Sequence, residues 1–128
     1  MDSQQGNIAM DLEALCEELG LDREQFSQFA SLFLDVAFTD LTRMKEALAE
    51  EDLAVVAEAA HSIKGAALTL ELDWISSVAK CLEIEARAGA REKVLRGIDS
   101  LARELEKLRS CFQEQGLLQE EGAPQVKP

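Results

Sequence analysis

The only histidine of the 128-residue chain, His61, lies in the run AHSIKGAA, three residues before Lys64 and four before Gly65. Residues three and four apart share one face of an α-helix, so a helix here would bring an imidazole, an ammonium group and a missing side chain together. A neutral imidazole is a nucleophile, a lysine offsets nearby negative charge, and a glycine lets another backbone approach closely. Taken alone, the histidine could equally be an ordinary surface residue, and the glycine could serve helix packing.

A metal site would need ligands that the chain lacks. Glu58 and His61 form the Glu-x-x-His pair of di-iron bundles, but such a site takes two of these pairs and two further glutamates, all facing the bundle interior. The chain has one histidine, and Cys16, Cys81 and Cys111 do not have the ligand spacing of a zinc site. We therefore expect no bound metal and three free thiols.

Hydrolytic and nucleotide chemistry also lack their parts. Ser62 adjoins His61, but residues one apart on a helix do not face each other, so the two cannot act as nucleophile and base. The sequence has no glycine-rich phosphate loop. We expect no cofactor and no catalysis by the chain alone. What remains is the imidazole as an acceptor of an activated phosphoryl group that another protein presents.

The composition limits the partners. Acidic residues outnumber basic ones by 25 to 13, for a net charge of −12, which disfavours nucleic acid because its binding depends on cations that contact phosphates. No apolar run approaches the roughly 18 residues of a membrane span, and the start MDSQQGN lacks the features of a signal peptide. We therefore expect a soluble, cytoplasmic protein that binds neither nucleic acid nor membranes.

His61 lies in the middle of a predicted helix from Leu53 to Leu70. This segment has no proline, and its apolar residues recur three and four apart, as in an amphipathic helix. The histidine falls on the side away from these residues and should therefore be exposed. The apolar positions are Leu53, Val56, Ala60, Ile63, Ala67 and Leu70.

The same periodicity predicts an all-α protein, with four long helices that follow a short N-terminal helix. Short connections imply antiparallel neighbours, and thus an up-down four-helix bundle over residues 8–116 between flexible ends at 1–7 and 117–128, with packing of Leu117 and Leu118 left open. A complete bundle with a charged surface favours a monomer. The predicted helices are Ile8 to Leu19, entered from Asn7 and closed by Gly20; Arg23 to Ala49, capped by Asp22 and Gln25, with a possible break near Thr39 and Asp40; Leu53 to Leu70; Trp74 to Arg87, capped by Asp73 and closed by Gly89; and Arg91 to Gln115, ended by Gly116.

The run Ala60 to Ala67 resembles the signature of histidine-containing phosphotransfer (HPt) domains, His-x-x-Lys-Gly followed by two small residues. The similarity extends from about Phe26 to Phe112. It includes Ala47-Leu48 and Asp52, which resemble the family's "AL…D" stretch, and Leu82-Glu83 with Arg87, which resemble its "LE…R" segment.

The resemblance implies a phosphocarrier that has no kinase or phosphatase activity of its own. It would shuttle a phosphoryl group between His61 and an aspartate of response-regulator receiver domains in a two-component phosphorelay, with a hybrid sensor histidine kinase as a further partner. Mg²⁺ would belong to the receiver. Within this pattern His61 is the phosphoacceptor, Lys64 the electrostatic partner, and Gly65 the cleared approach.

Three further positions are assigned by the resemblance. Glu83 falls where the family often has a residue that hydrogen-bonds the imidazole, although an ordinary solvated charge is the alternative. Arg87 falls where a second basic residue can support the charge of the phosphoryl group. Glu71 stands where the family usually has a glycine, which leaves the geometry of that turn open.

Receiver domains are expected to dock on the histidine face through apolar contacts. Ala57 and Leu68 are the candidates on the histidine helix, and Met10, Leu12 or Leu15 could extend the patch, with core packing as the alternative for these three. The contrasting hypothesis is a helical adaptor that binds partner proteins through an apolar face and is never phosphorylated. Such an adaptor does not need His61.

Overall fold

The computed structural model describes residues 11–118, and this part of the chain is helical, with no β-strand. Helix α3 packs against α2 and α4, α4 also packs against α5, and α5 returns to α2, while α1 touches α2. None of these helices combines the length and the hydropathy that a membrane crossing requires. The helices are α1 (Leu12–Leu19), α2 (Arg23–Ala49), α3 (Leu53–Thr69), α4 (Asp73–Arg87) and α5 (Arg91–Glu114).

Local sequence signals explain most of the helix ends. Asp22 and Gln25 form the predicted capping box, in which each side chain accepts a hydrogen bond from the other's backbone amide, at 2.8 and 2.9 Å. Gly20 closes α1 with a left-handed φ of 72°. Helix α2 continues through Thr39 and Asp40 without a break, because its apolar side is buried along its whole length.

Two predicted helix starts are wrong. Helix α1 begins at Leu12 and not at Ile8, because Asp11 is extended and its side chain accepts the amide hydrogen of Ala14. Residues 8–10, and the predicted entry at Asn7, lie outside the described residues. Asp73 does not cap α4. It is the first helical residue, and Leu72 precedes it without a side-chain cap.

The turn between α3 and α4 keeps the geometry that a glycine would give. Glu71 has a left-handed φ of 59°. Its amide donates to the carbonyl of Leu68 at 3.0 Å, and the amide of Leu72 donates to that of Ala67 at 2.8 Å, which is the Schellman pattern. The turn therefore forms without glycine, at a strain of about 1–2 kcal/mol for a residue that has a side chain.

The core holds α3 by its apolar side. Val56, Ala60, Ile63, Ala67 and Leu70 are buried as predicted, whereas Leu53 is only half-buried.

The packed part of the chain includes the first residue of the predicted tail, where packing of Leu117 and Leu118 was left open. Leu117 is buried, and its carbonyl accepts a hydrogen bond from the hydroxyl of Ser27 on α2. The start of the predicted tail therefore packs onto the bundle.

Candidate functional site around His61

His61 is exposed, as its position on the helix predicts. Its side chain is 63% exposed, although its close neighbours on the helix, Ala60 and Ile63, are fully buried. The backbone of α3 is therefore fixed by the core while the imidazole faces outward. A rigid helix thus holds the ring at the surface.

Glu83 on α4 is the buried centre of this site. Its side chain is only 11% exposed, and it contacts His61 Nδ1, Lys64 Nζ and Arg87 Nη2 at 3.2, 3.2 and 2.9 Å. This glutamate is therefore not an ordinary solvated charge. It links the histidine helix to the helix that packs beside it.

The three partners keep Glu83 ionised. Burial alone would raise the pKa of its carboxyl, but hydrogen bonds from Arg87, Lys64 and His61 outweigh burial and lower the pKa from 4.5 to about 2. At neutral pH the side chain is a carboxylate, which can only accept hydrogen bonds. The hydrogen between Glu83 and the imidazole must therefore be carried by His61.

This contact assigns the tautomer of the ring. Because His61 donates through Nδ1, a neutral imidazole has its lone pair on Nε2. Among the described residues, no hydrogen bond to Nε2 is formed. The nitrogen that can attack an electrophile is therefore the one left open at the surface.

Gly65 leaves open space beside His61. A Cβ built at this position would meet no heavy atom within 4 Å in the described part of the chain, apart from the helix's own neighbouring backbone. The alternative that this glycine permits close helix packing is therefore excluded. Its missing side chain therefore leaves room that none of residues 11–118 occupies.

The two predicted basic residues lie close to the site, but each is directed to Glu83. Lys64 contacts Oε1, and Arg87 contacts Oε2 through both Nη2 and Nε, at 2.9 and 3.2 Å. Sequence spacing brings Lys64 to His61 and Arg87 to Glu83. It does not show that both cations meet on one carboxylate, because that depends on the register between α3 and α4.

An ion pair beside the site was missed by the sequence reasoning. Glu58, one turn before His61, accepts a hydrogen bond from Arg43 on α2 at 3.1 Å. Arg43 also approaches the buried Asp40 at 3.5 Å. No local signal predicts a pair between residues on different helices.

Of the two predicted partner contacts, one is wrong. Ala57 is fully buried, because α3 is covered on both flanks by α2 and α4, and it cannot touch a partner. Leu68 is 53% exposed and stays a candidate. Leu12 is in the core and Leu15 is half-buried against it, whereas Met10 lies outside the described residues.

An apolar stripe on α2 was also missed. Phe29, Leu32 and Val36 are exposed although they are large and apolar, and their spacing puts them on one face. Arg43 follows Val36 by seven residues, two helical turns, and reaches Glu58 on α3. The stripe therefore runs along the edge of α2 that borders the histidine helix. The spacing of Phe29, Leu32 and Val36 could have identified this stripe from the sequence, because the three residues form a second apolar row beside the buried residues of α2.

No group of three or more His, Cys, Asp or Glu side chains that could hold a metal ion occurs within residues 11–118.

Comparison with known families assigns the chain. The curated proteins and the solved structures gave no significant match. The family model of the Hpt domain matches residues 28–111, more than half of the chain, and includes His61, Lys64, Gly65 and Glu83. Hpt domains are generally phosphocarriers and not enzymes, and they take part in two-component phosphorelays. The chain therefore belongs to the Hpt domain family.

Proposed function

We propose that this protein relays a phosphoryl group between His61 and aspartates of response-regulator receiver domains, with a hybrid sensor histidine kinase as the source of the phosphoryl group. The observation that carries the proposal is the exposed imidazole whose Nδ1 contacts a buried carboxylate at 3.2 Å. This contact orients the ring and assigns the lone pair to the open nitrogen. An adaptor has no use for such an arrangement.

The transfer step needs only the groups described above. The Nε2 lone pair attacks the phosphorus of an aspartyl phosphate, the new N–P bond forms, and the P–O bond breaks, with its electron pair leaving on the aspartate carboxylate. The Nδ1 hydrogen stays on the contact to Glu83, so no base has to remove a proton. The reverse step returns the phosphoryl group to an aspartate.

Lys64 and Gly65 support this step in different ways. Lys64 lies on the same helix face as His61, so its ammonium group can compensate the negative charge that a phosphoryl group brings to Nε2. Gly65 provides the space through which the receiver's backbone can approach. Both roles follow from position, and both require the partner to come from the open side of α3.

The apolar contacts for docking would come from both sides of this open face. Leu68 projects from α3, and the stripe of Phe29, Leu32 and Val36 borders it on α2. Apolar patches of this kind mark protein interaction sites. The same stripe is also what a non-phosphorylated adaptor would use, which keeps that function as the second candidate.

The remaining expectations belong to the same proposal. Helices α2 to α5 form an up-down four-helix bundle, since each short connection joins helices that pack together. The protein acts in the cytoplasm as a monomer and carries phosphohistidine without kinase or phosphatase activity. It holds no cofactor, and the Mg²⁺ of the reaction belongs to the receiver.

Radiolabel transfer tests the proposal. The full chain is mixed with a receiver domain that carries labelled phosphate on its aspartate, and label should appear on this chain in an acid-labile, alkali-stable form. His61→Gln should fold normally, because the residue is exposed, and should stay unlabelled. An unlabelled wild-type chain that still binds the receiver would instead favour the adaptor.

A further inference from the structure

Glu83 holds its two cations on different oxygens. Arg87 donates to Oε2 through Nη2 at 2.9 Å and Nε at 3.2 Å. His61 Nδ1 lies 3.2 Å from the same Oε2 and 3.4 Å from Oε1. Lys64 Nζ lies 3.2 Å from the other oxygen, Oε1. The imidazole thus contacts both oxygens, with the arginine on the oxygen nearer to Nδ1 and the lysine on the oxygen farther from it.

We propose that Arg87 is a positioning residue that acts on His61 only through Glu83, and that Lys64 is an exchangeable partner that leaves Glu83 for the phosphoryl group on Nε2. The proposal deepens the phosphotransfer function and rests on it. It replaces the expectation that Arg87 supports the charge of the phosphoryl group directly.

The placement of the two cations on the helices supports this division. Arg87 is four residues after Glu83 on α4, so it keeps its contacts with Glu83 when the partners of the imidazole change. Lys64 is three residues after His61 on α3, so it lies on the helix that carries the phosphoryl group. A lysine is a mobile point charge, whereas the planar guanidinium is suited to holding a carboxylate through two N–H groups.

The charge of the phosphoryl group attracts Lys64 away from Glu83. A phosphoryl group on Nε2 brings more negative charge to this face than the single charge of Glu83, and Lys64 is attracted to it. When Lys64 leaves Oε1, Arg87 still neutralises Glu83 and its two contacts to Oε2 remain. Without Arg87, the departure of Lys64 would leave a buried carboxylate with the imidazole as its only partner, and burial would then favour protonation.

Nitrogen NMR of the imidazole in the unphosphorylated full chain separates the two roles. In the wild type the Nδ1–H tautomer should dominate the neutral ring. Arg87→Gln should lower the ratio of the Nδ1–H tautomer to the Nε2–H tautomer by about tenfold. Removing a residue that orients a metal-binding histidine has effects of about this size. Arg87→Lys should restore part of that ratio, and Lys64→Gln should change it less than about twofold, because Arg87 still holds Oε2, the oxygen nearer to the imidazole.

Phosphoramidate then measures the reaction without a partner protein. Nε2 attacks its phosphorus, the N–P bond to His61 forms, and the original P–N bond breaks as ammonia leaves. Both Arg87→Gln and Lys64→Gln should slow this step about tenfold, but only the first should do so together with a shift in tautomer. Arg109→Gln, which removes an ion pair to Glu106 on α5, is the matched control and should change neither quantity.

Each outcome decides the proposal. If Arg87→Gln slows phosphorylation with an unchanged tautomer, Arg87 acts on the phosphoryl group itself and the proposal is wrong. It is also wrong if Lys64→Gln shifts the tautomer as strongly, or if Arg87→Gln changes nothing. Circular dichroism checks that each variant is folded, which we expect because Arg87 is 60% exposed. Failure of the phosphotransfer function would appear differently, as a wild-type chain that phosphoramidate does not phosphorylate although its tautomer is as expected.

Discussion

Two glycines in the middle of helices, Gly65 on α3 and Gly97 on α5, have opposite surroundings. A Cβ at Gly97 would lie 2.9 Å from Cδ1 of the buried Leu82, whereas a Cβ at Gly65 would meet no other part of residues 11–118 within 4 Å, its own helix backbone aside. Gly97 lets α4 and α5 pack closely. Gly65 has no such packing role within the described residues, although a mid-helix glycine costs about 1 kcal/mol relative to alanine. Space that the fold leaves empty beside an exposed nucleophile is space for a partner.

A large side chain at Gly65 is the strongest test of the contrast between the two glycines. Gly65→Leu should slow phosphoryl transfer from a receiver by at least about 100-fold, because a misplacement of about 1 Å between reacting groups has an effect of that size. The free energy of unfolding should rise by up to about 1 kcal/mol, since leucine is a better helix former than glycine. Transfer rates and urea unfolding measure the two effects. Transfer at the wild-type rate would mean that no partner approaches through this space.

The buried carboxylate of Glu83 predicts how the free energy of unfolding depends on pH. Because contacts in the folded state lower the pKa of Glu83 from 4.5 to about 2, its ionised form adds stability above pH 4.5, and this contribution is lost as the pH falls towards 2. A lowering of this size corresponds to on the order of 3 kcal/mol. Glu83→Gln should remove that part of the acid dependence from urea unfolding measured between pH 7 and 2.

Glu58→Gln is the control for the pH experiment. Glu58 also pairs with an arginine, but its side chain is 64% exposed, so its substitution should leave the acid dependence almost unchanged. Equal pH profiles for wild type and Glu83→Gln would contradict the idea that a buried carboxylate holds the imidazole.

Leucine at the packed glycine should give the reverse of the result at Gly65. Gly97→Leu forces a side chain against Leu82 and should lower the free energy of unfolding by about 1–3 kcal/mol. Phosphoryl transfer by the remaining folded protein should change less than about threefold, because the substitution does not touch His61. A stabilised Gly97→Leu variant would break the contrast between the two glycines.

The smallest effect is expected at Glu71, which has a side chain although its left-handed φ favours glycine. Glu71→Gly should raise the free energy of unfolding by about 1 kcal/mol, because glycine adopts the left-handed φ without strain. Glu51→Gly is the matched variant. Glu51 has the same φ of 59°, but it would lose its ion pair with Arg91 and should gain less stability. Urea unfolding of both variants checks the difference, and a destabilised Glu71→Gly would contradict it.

The sequence predicts what depends on neighbouring residues. Apolar periodicity identifies the buried side of α3, and the exposure of His61 follows from it. The capping box of Asp22 and Gln25 marks the start of α2. These features are determined within one or two turns of a single helix, where spacing and geometry are directly related.

What depends on packing between helices could not be predicted in the same way. Ala57 was expected at the surface because it lies one turn before His61 on the same helix face, but flanking helices cover it. The convergence of Lys64 and Arg87 on Glu83 depends on the register of α3 against α4. Similarly, the left-handed conformation of Glu71 is imposed by the turn, against the preference of the residue.

The most direct test of the central claim is the position of the phosphoryl group on the imidazole. Phosphorus and nitrogen NMR of the phosphorylated full chain distinguish phosphate on Nε2 from phosphate on Nδ1. We expect it on Nε2 of His61, with the Nδ1 hydrogen still bonded to Glu83. Phosphate on Nδ1, or on a residue other than His61, would show that the buried carboxylate does not select the nucleophile.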